Sequence, residues 1–468
     1  MDLTESIAEV PAPPGRRLPL PLLLLKIISN PVTSWSREFY EEPFVLYRKL
    51  GFEVAFVMDP DLIESVLFSD RDKFSRSPFY EDVMGDMAGE GLLTSEGEHW
   101  RWQRRLATPL FISDEIVAAY VPAFASACRP VLQRWSQAGV GETQTIGPDL
   151  AGATLQALQD TLLGVDLSEE DRRLTEDAAA IFLSCSGWRS IYSVLRLPRF
   201  IPHPRRSAMQ RACARLRAMA LQVLTRRRAD GSAGDDLLLR LMAARDPATG
   251  EAMPDRLIVD NILTFLIAGH ETTAQALTWT LYLLARFPDW QERVRQELRD
   301  CVNTNSISGD QLPQLTLLDA VFQEAMRLFP PAPVLMRRSR TNVRLGQLSL
   351  AAGATVVIPI YVVHRHRSLW QDPLHFDPSR FAAGSKTKRH RSAYLPFGIG
   401  PRACIGGAFA KTEGKTMLAT LLAGAHFDLP EDELPVPRAR ITLRPKDGIR
   451  LKVTIDPDLA RRSPSSQT

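Results

Sequence analysis

The residues with the clearest chemistry lie in one run, Pro396-Phe397-Gly398-Ile399-Gly400-Pro401-Arg402-Ala403-Cys404-Ile405-Gly406-Gly407. It sets a lone cysteine where a glycine-rich loop meets a predicted helix over 408–422. Gly398 and Gly400 permit backbone angles that a residue with a Cβ avoids, so the chain can turn tightly before Cys404. Near a helix N-terminus, unpaired N–H groups and the positive dipole end favour a thiolate. Arg402 adds a positive charge two residues away, and Gly406 lets a flat ligand approach the backbone. A lone thiolate held this way suits the axial position of a haem iron. The same residues admit a small core thiol or a cysteine nucleophile with a distant histidine. A phosphate loop fails, because no Gly-Lys-Ser/Thr follows.

A second cluster interrupts a long apolar run. Residues 254–287 read as one helix, with Pro254 in its first turn. Its apolar centre, Ile262 to Ile267, leads into Ala268-Gly269-His270-Glu271-Thr272-Thr273. Polar residues in a buried helix break a local rule, and such breaks mark function. Gly269 allows a close ligand or a kink. A threonine hydroxyl can hold O2 or water in the helix groove, and Glu271 can relay protons. Thr273 is expected to bond a carbonyl one turn back. His270 has no partner histidine at helical spacing, so metal binding is discounted.

Three more sites follow from spacing. Trp100 and Arg104 are four apart and share a helical face. An indole N–H and a guanidinium together can hold a carboxylate, although an amphipathic helix with solvated arginines looks the same. Arg101 and Arg105 then point to solvent. Glu324 and Arg327 can pair among apolar flanks in a helix over 318–329. The prolines at 330, 331 and 333 end that helix and force extended chain. Ala332, Val334 and Leu335 would then line a pocket, with Arg337 and Arg338 beyond.

The pattern Phe397-x-x-Gly400-x-Arg402-x-Cys404-x-Gly406 resembles the haem-binding signature of the cytochrome P450 family at all five fixed positions. Three further motifs recur in the family's order, and the resemblance runs from about residue 35 to 454. It implies haem b (iron protoporphyrin IX) with Cys404 as thiolate ligand to the metal. Phe397, Arg402, Gly406 and Ala268 would surround the cofactor, with Trp100, Arg104 and Arg337 on its propionates. Ala268-Gly269-x-acid-Thr implies catalytic roles for Glu271 and Thr272 in oxygen activation. Glu324-x-x-Arg327, with Arg380 as the usual third member, implies a structural trio around the thiolate loop. Phe265, Ala268, Ala332, Val334 and Leu335 would form the substrate pocket. The segments that choose substrate in the family, about 79–93 and 179–206, carry no readable signature. The segment at Asp235-Asp236-Leu237-Leu238 and the pair His364-Arg365 also look like family landmarks.

The implied fold is mainly α with small β-sheets, the haem lying between a long central helix and the cysteine loop. Short strands are predicted at 343–345, 355–359 and 450–454. With 468 residues and 45% hydrophobic content, one large domain over 35–455 is expected, between an apolar, proline-rich arm (1–34) and a polar tail (456–468). A net charge of +3 does not argue for nucleic acid. Five scattered cysteines form no disulfide or zinc pattern, which suits a cytoplasmic location. The apolar stretch 18–28 is shorter than the ~20 residues a spanning helix needs and holds two prolines, so no transmembrane segment is expected. The expected activity is hydroxylation or epoxidation of an apolar small molecule, such as a fatty acid or terpenoid. O2 would be the oxidant, with NAD(P)H electrons arriving through a ferredoxin and its reductase, or a flavodoxin. An H2O2-driven peroxygenase and a non-catalytic haem sensor remain alternatives. Lys386, Lys388, Arg389, His390 and Arg391, with Arg101 and Arg105, are the expected docking face for the electron donor.

Overall fold

The computed structural model describes most of residues 29–456 and scattered positions before them; 50–51, 140, 165–166, 195–196, 198–200, 202, 230–235, 303–306, 383–388, 431–433 and 457–468 lie outside the described residues. Asp235, Lys386, Lys388 and nearly all of the C-terminal tail therefore fall outside them. The chain is mainly helical with small sheets.

Its axis is the helix Asp255–Arg286. Pro254 stands just before it as the cap, at φ −63° and ψ 150°, rather than inside the first turn. At about 1.5 Å per residue the helix runs roughly 48 Å. Its residues 257–266 are buried on every side, and the polar ones among them, Asp260, Asn261 and Thr264, are hydrogen-bonded. Helices Ile146–Leu158, Arg206–Ala229, Thr316–Leu328 and Gly407–Gly424 pack around it.

A five-stranded sheet flanks the helices in the order Phe44–Lys49, Phe52–Val57, Thr355–Ile358, Leu335–Ser339, Phe74–Arg76. The extended chain after Pro333 is thus a central strand, paired on one side with residues 74–76. That register sets Arg76 directly opposite Arg337. Like charges so placed repel across strands, and something must offset them. Two smaller hairpins join Val343–Leu345 to Leu348–Leu350 and Pro437–Ala439 to Leu443–Pro445. A three-stranded sheet takes in Thr143–Thr145, Arg450–Ile455 and Ala425–Asp428.

Beneath the cysteine loop lies a buried ionic knot. Arg327 donates from Nε and Nη2 to the Glu324 carboxylate at 2.6 and 2.7 Å, and neither side chain is accessible. The same guanidinium reaches the carbonyls of His364, Pro373 and His375. Arg380 sits 3.5 Å from Glu324. His364 links this knot to the loop: its Nδ1 is 3.2 Å from the Arg327 carbonyl, and its Nε2 accepts the Leu395 N–H at 2.7 Å. Breaking such a pair from one side costs about 3–5 kcal/mol, because the other charge stays buried.

Asp114–Gln137 is the one described segment long and apolar enough to cross a membrane, and half of its most apolar window is buried inside the fold. Parts of the N-terminal arm fold back onto the body: the Ile7 carbonyl accepts from the Tyr282 hydroxyl, and the Asn30 amide bonds Pro437 and Ala439.

Candidate active site

One cavity of about 1630 Å3 opens between the central helix and the cysteine loop. Ligand pockets usually measure ~300–1,000 Å3, so this one has room for a large planar group and a second molecule. Cys404, Phe397, Arg402 and Gly406 line its floor; Phe265, Ala268, Glu271 and Thr272 line the helix side. Ala332, Val334, Leu335 and Arg337 close a third side. The segments 79–93 and 179–206 supply Phe79, Val83, Phe182 and Ser186, among others, to the same wall.

The loop reaches this floor because two glycines take positive φ, Gly398 at 66° and Gly400 at 78°. A Cβ on Gly400 would collide with the Leu67 carbonyl. The Cys404 N–H then donates to the Phe397 carbonyl at 2.8 Å. Cys404 is open to the cavity, yet the chain around it shields it from bulk water; that desolvation pushes its thiol up, while the Gly406 N–H and the Arg104 charge pull it toward thiolate. Beside Gly406 the space is open, with Phe111 the nearest group to a hypothetical Cβ, at 4.0 Å.

Trp100 and Arg104 share the helix Gly97–Ile112 but are set back from the cavity wall. Trp100 is buried and carries the Arg402 guanidinium over its ring at 4.1 Å. Three guanidiniums that border the cavity, Arg76, Arg337 and Arg402, gather at one edge. Burial pushes all three down, and Arg402 is lowered further by Arg76 and Arg337, to about 9. Glu96 is the carboxylate acting on them, and it also pairs with Arg340. Arg76 was missed in the sequence, because only strand pairing across more than 260 residues brings it to Arg337.

The polar cluster on the central helix differs from expectation in two places. Thr272, not Thr273, bonds a carbonyl one turn back, that of Ala268 at 2.5 Å. Thr273 donates to Glu413 at 3.0 Å, because it faces the helix Gly407–Gly424 rather than its own turn. Gly269 serves helix packing: a Cβ there would press on Leu158 at 3.1 Å. Glu271 accepts from Thr442 at 3.2 Å and Gln275 at 3.3 Å, and burial raises its pKa. Glu413, also on the cavity wall, is fully buried and pushed up to about 8 by desolvation. His270 is buried without a partner on Nε2 and held down to about 4.

The expected docking face is largely paired. Arg105 holds the buried Asp246 at 2.9 Å instead of facing solvent freely. Arg101 pairs with Glu98, Arg391 with Glu64, and Arg389 lies over the Trp370 ring at 4.1 Å.

The family model for cytochrome P450 matches residues 11–453. A cytokinin hydroxylase of Arabidopsis thaliana is 29% identical over 89% of this chain and 82% of its own length. A pentalenene oxygenase of Streptomyces avermitilis is 31% identical over 87% of this chain and 89% of its own length. The crystal structure of a cytochrome P450DA heme domain superposes with a TM-score of 0.81 at 24% identity, covering 96% of this chain and 98% of that one. A signature match over nearly the whole chain, joined to the same fold, identifies the protein as a member of the cytochrome P450 family, a haem-thiolate monooxygenase that incorporates molecular oxygen.

Proposed function

We propose that the chain would hold haem b through the Cys404 thiolate and hydroxylates or epoxidises an apolar small molecule bound beside it. The observation that carries this reading is one cavity with a lone thiol on its floor and three under-compensated guanidiniums at one edge. A planar macrocycle with two carboxylates fits both features. When bound, that group supplies the oxidation with O2, which no side chain can perform.

The remaining work belongs to this chain's own residues. Arg76, Arg337 and Arg402 would take the two carboxylates, with Trp100 under the Arg402 guanidinium. Arg104 favours the charged form of Cys404. Glu324, Arg327 and Arg380 hold the loop in place through His364. Gly406 and Ala268 leave flat faces on either side, and Phe397 fixes the Cys404 amide. On the far side, Thr272 keeps its hydroxyl proton on the Ala268 carbonyl and turns oxygen lone pairs to the cavity. Glu271, with its raised pKa, moves protons inward from the Thr442 side. Phe265, Ala332, Val334 and Leu335 exclude water and favour an apolar guest, such as a terpenoid or fatty acid. The printed name of the Streptomyces relative, a pentalenene oxygenase, supports such a guest. Electrons come from NAD(P)H through a separate ferredoxin and reductase, or a flavodoxin, in the cytoplasm.

The test compares Thr272→Ala with wild type, using a surrogate ferredoxin and its reductase. The variant should keep haem and substrate yet divert NAD(P)H electrons to H2O2. Product formation should fall toward the low end of the ~10²–10⁴-fold typical of a lost acid–base group, since water can replace a hydroxyl. Unchanged coupling would remove Thr272 from the role. Product from H2O2 alone, with none from reduced ferredoxin, would establish a peroxygenase instead, and no product from either would leave a haem sensor.

A further inference from the structure

We propose that Arg440 anchors one end of the substrate, and that this substrate is an apolar acid, a hydrocarbon body ending in a carboxylate. The inference rests on the monooxygenase reading above and names the guest of that same cavity.

Arg440 sits at the tip between Pro437–Ala439 and Leu443–Pro445, where its N–H bonds the Thr442 carbonyl at 3.0 Å. That tip enters the cavity: Arg440, Ile441 and Thr442 all line it. Thr442 reaches Glu271, so the tip lies against the helix side of the cavity. Nη1 of Arg440 donates to the Leu183 carbonyl at 2.8 Å, which fixes the side chain against the helix Glu169–Val194. Its Nε is buried without a partner. Among the described residues no carboxylate pairs with it.

Of the other wall cations, Arg76, Arg337 and Arg402 stand at the edge given to the cofactor carboxylates. Arg48 is paired with Glu53 at 3.1 Å, and Arg338 donates to the Gly353 carbonyl. Arg444, outside the wall, acts electrostatically on Glu271. The charges acting on Arg440 are the like-signed Arg438 and Arg444, and the Cys185 thiol. A partly desolvated guanidinium on a cavity wall, with no carboxylate paired to it among the described residues, is the natural partner of a ligand carboxylate. Ser186 and Ser190 stand one turn apart on the adjoining helix and also line the cavity. Their hydroxyls rest on the Leu183 and Ser186 carbonyls and can turn to a ligand. From that anchor the apolar body lies over Phe265, Ala268 and Leu335 toward Cys404.

The experiment titrates haem-loaded enzyme and follows the shift of the haem to high spin. The probes are straight-chain acids from octanoate to stearate, a cyclic diterpene acid, and the alcohol matching each. Loading is first verified from the ferrous–CO band. Its absence in wild type would overturn the monooxygenase reading and this inference with it; its presence leaves the titration to report on Arg440 alone. A hydrogen bond to a charged group is worth enough for about tenfold or more in affinity. At least one acid should therefore bind about tenfold more tightly than its alcohol. That preference should vanish in Arg440→Gln and persist in Arg440→Lys, with alcohol binding unchanged in both. If no acid outbinds its alcohol, or the preference survives in Arg440→Gln, the anchor is wrong.

Discussion

Glu413 shows how one buried carboxyl shapes the pH behaviour of the molecule. It lies on the helix after Cys404 with one oxygen bonded by Thr273 and the other unpartnered. Folding lifts its pKa from 4.5 to about 8. Between those values the folded chain binds a proton that the unfolded chain does not, so stability falls as pH rises. His270 and His364 act the opposite way. Burial depresses both below 6.5, so the unfolded chain binds more protons and stability falls as pH drops below that value. Stability should therefore peak near neutrality on its acid side. Urea denaturation of Glu413→Gln should show the alkaline decline flattened, with a gain on the order of 1–3 kcal/mol at pH 8. A decline unchanged from wild type would mean that Glu413 is ionised in the fold. That Cys404, Glu271 and Thr272 would share one cavity was legible in the sequence because each breaks a local pattern. Glu413 was not, since a lone glutamate in a helix usually marks its solvated face.

The three helices read from the sequence, 254–287, 318–329 and 408–422, were legible to within two residues, because apolar period, prolines and glycines mark them locally. The strands were less so. Residues 44–57 form a hairpin that went unread, and 335–339 were seen only as extended chain. Their pairing depends on partners such as 74–76, which adjacent sequence does not announce. The exchange between Thr272 and Thr273 has the same origin: a helix pattern tells which residues are polar, not which neighbour each one meets. The cysteine loop can be tested as an element. Gly400 combines positive φ with contact against the Leu67 carbonyl, a backbone atom that cannot swing away. Gly398 is also at positive φ, but its nearest neighbour is the Leu335 side chain at 3.4 Å. Backbone strain of this kind costs about 1–3 kcal/mol. Gly400→Ala should thus lose haem and melt earlier than Gly398→Ala, as read from haem absorbance on heating. Equal loss from both would show that φ alone, not the close approach to Leu67, constrains the loop.

At the scale of the whole molecule, segments far apart in sequence meet around one cavity. Cys404 comes from a C-terminal loop, Thr272 from the central helix, Arg76 and Arg337 from paired strands, and Arg440 from a late hairpin. The buried knot of Glu324, Arg327 and Arg380 fixes where that loop stands relative to the rest. The central claim is that this assembly exists to hold a haem through the Cys404 sulfur. The most direct measurement is the ferrous–CO absorption spectrum of wild type beside Cys404→Ser, each loaded with haem. Wild type should show the red-shifted band that a thiolate ligand produces, and Cys404→Ser should lack it and all oxygenase activity. A variant that keeps the red-shifted band would contradict the claim, because the thiolate would then have to come from another cysteine.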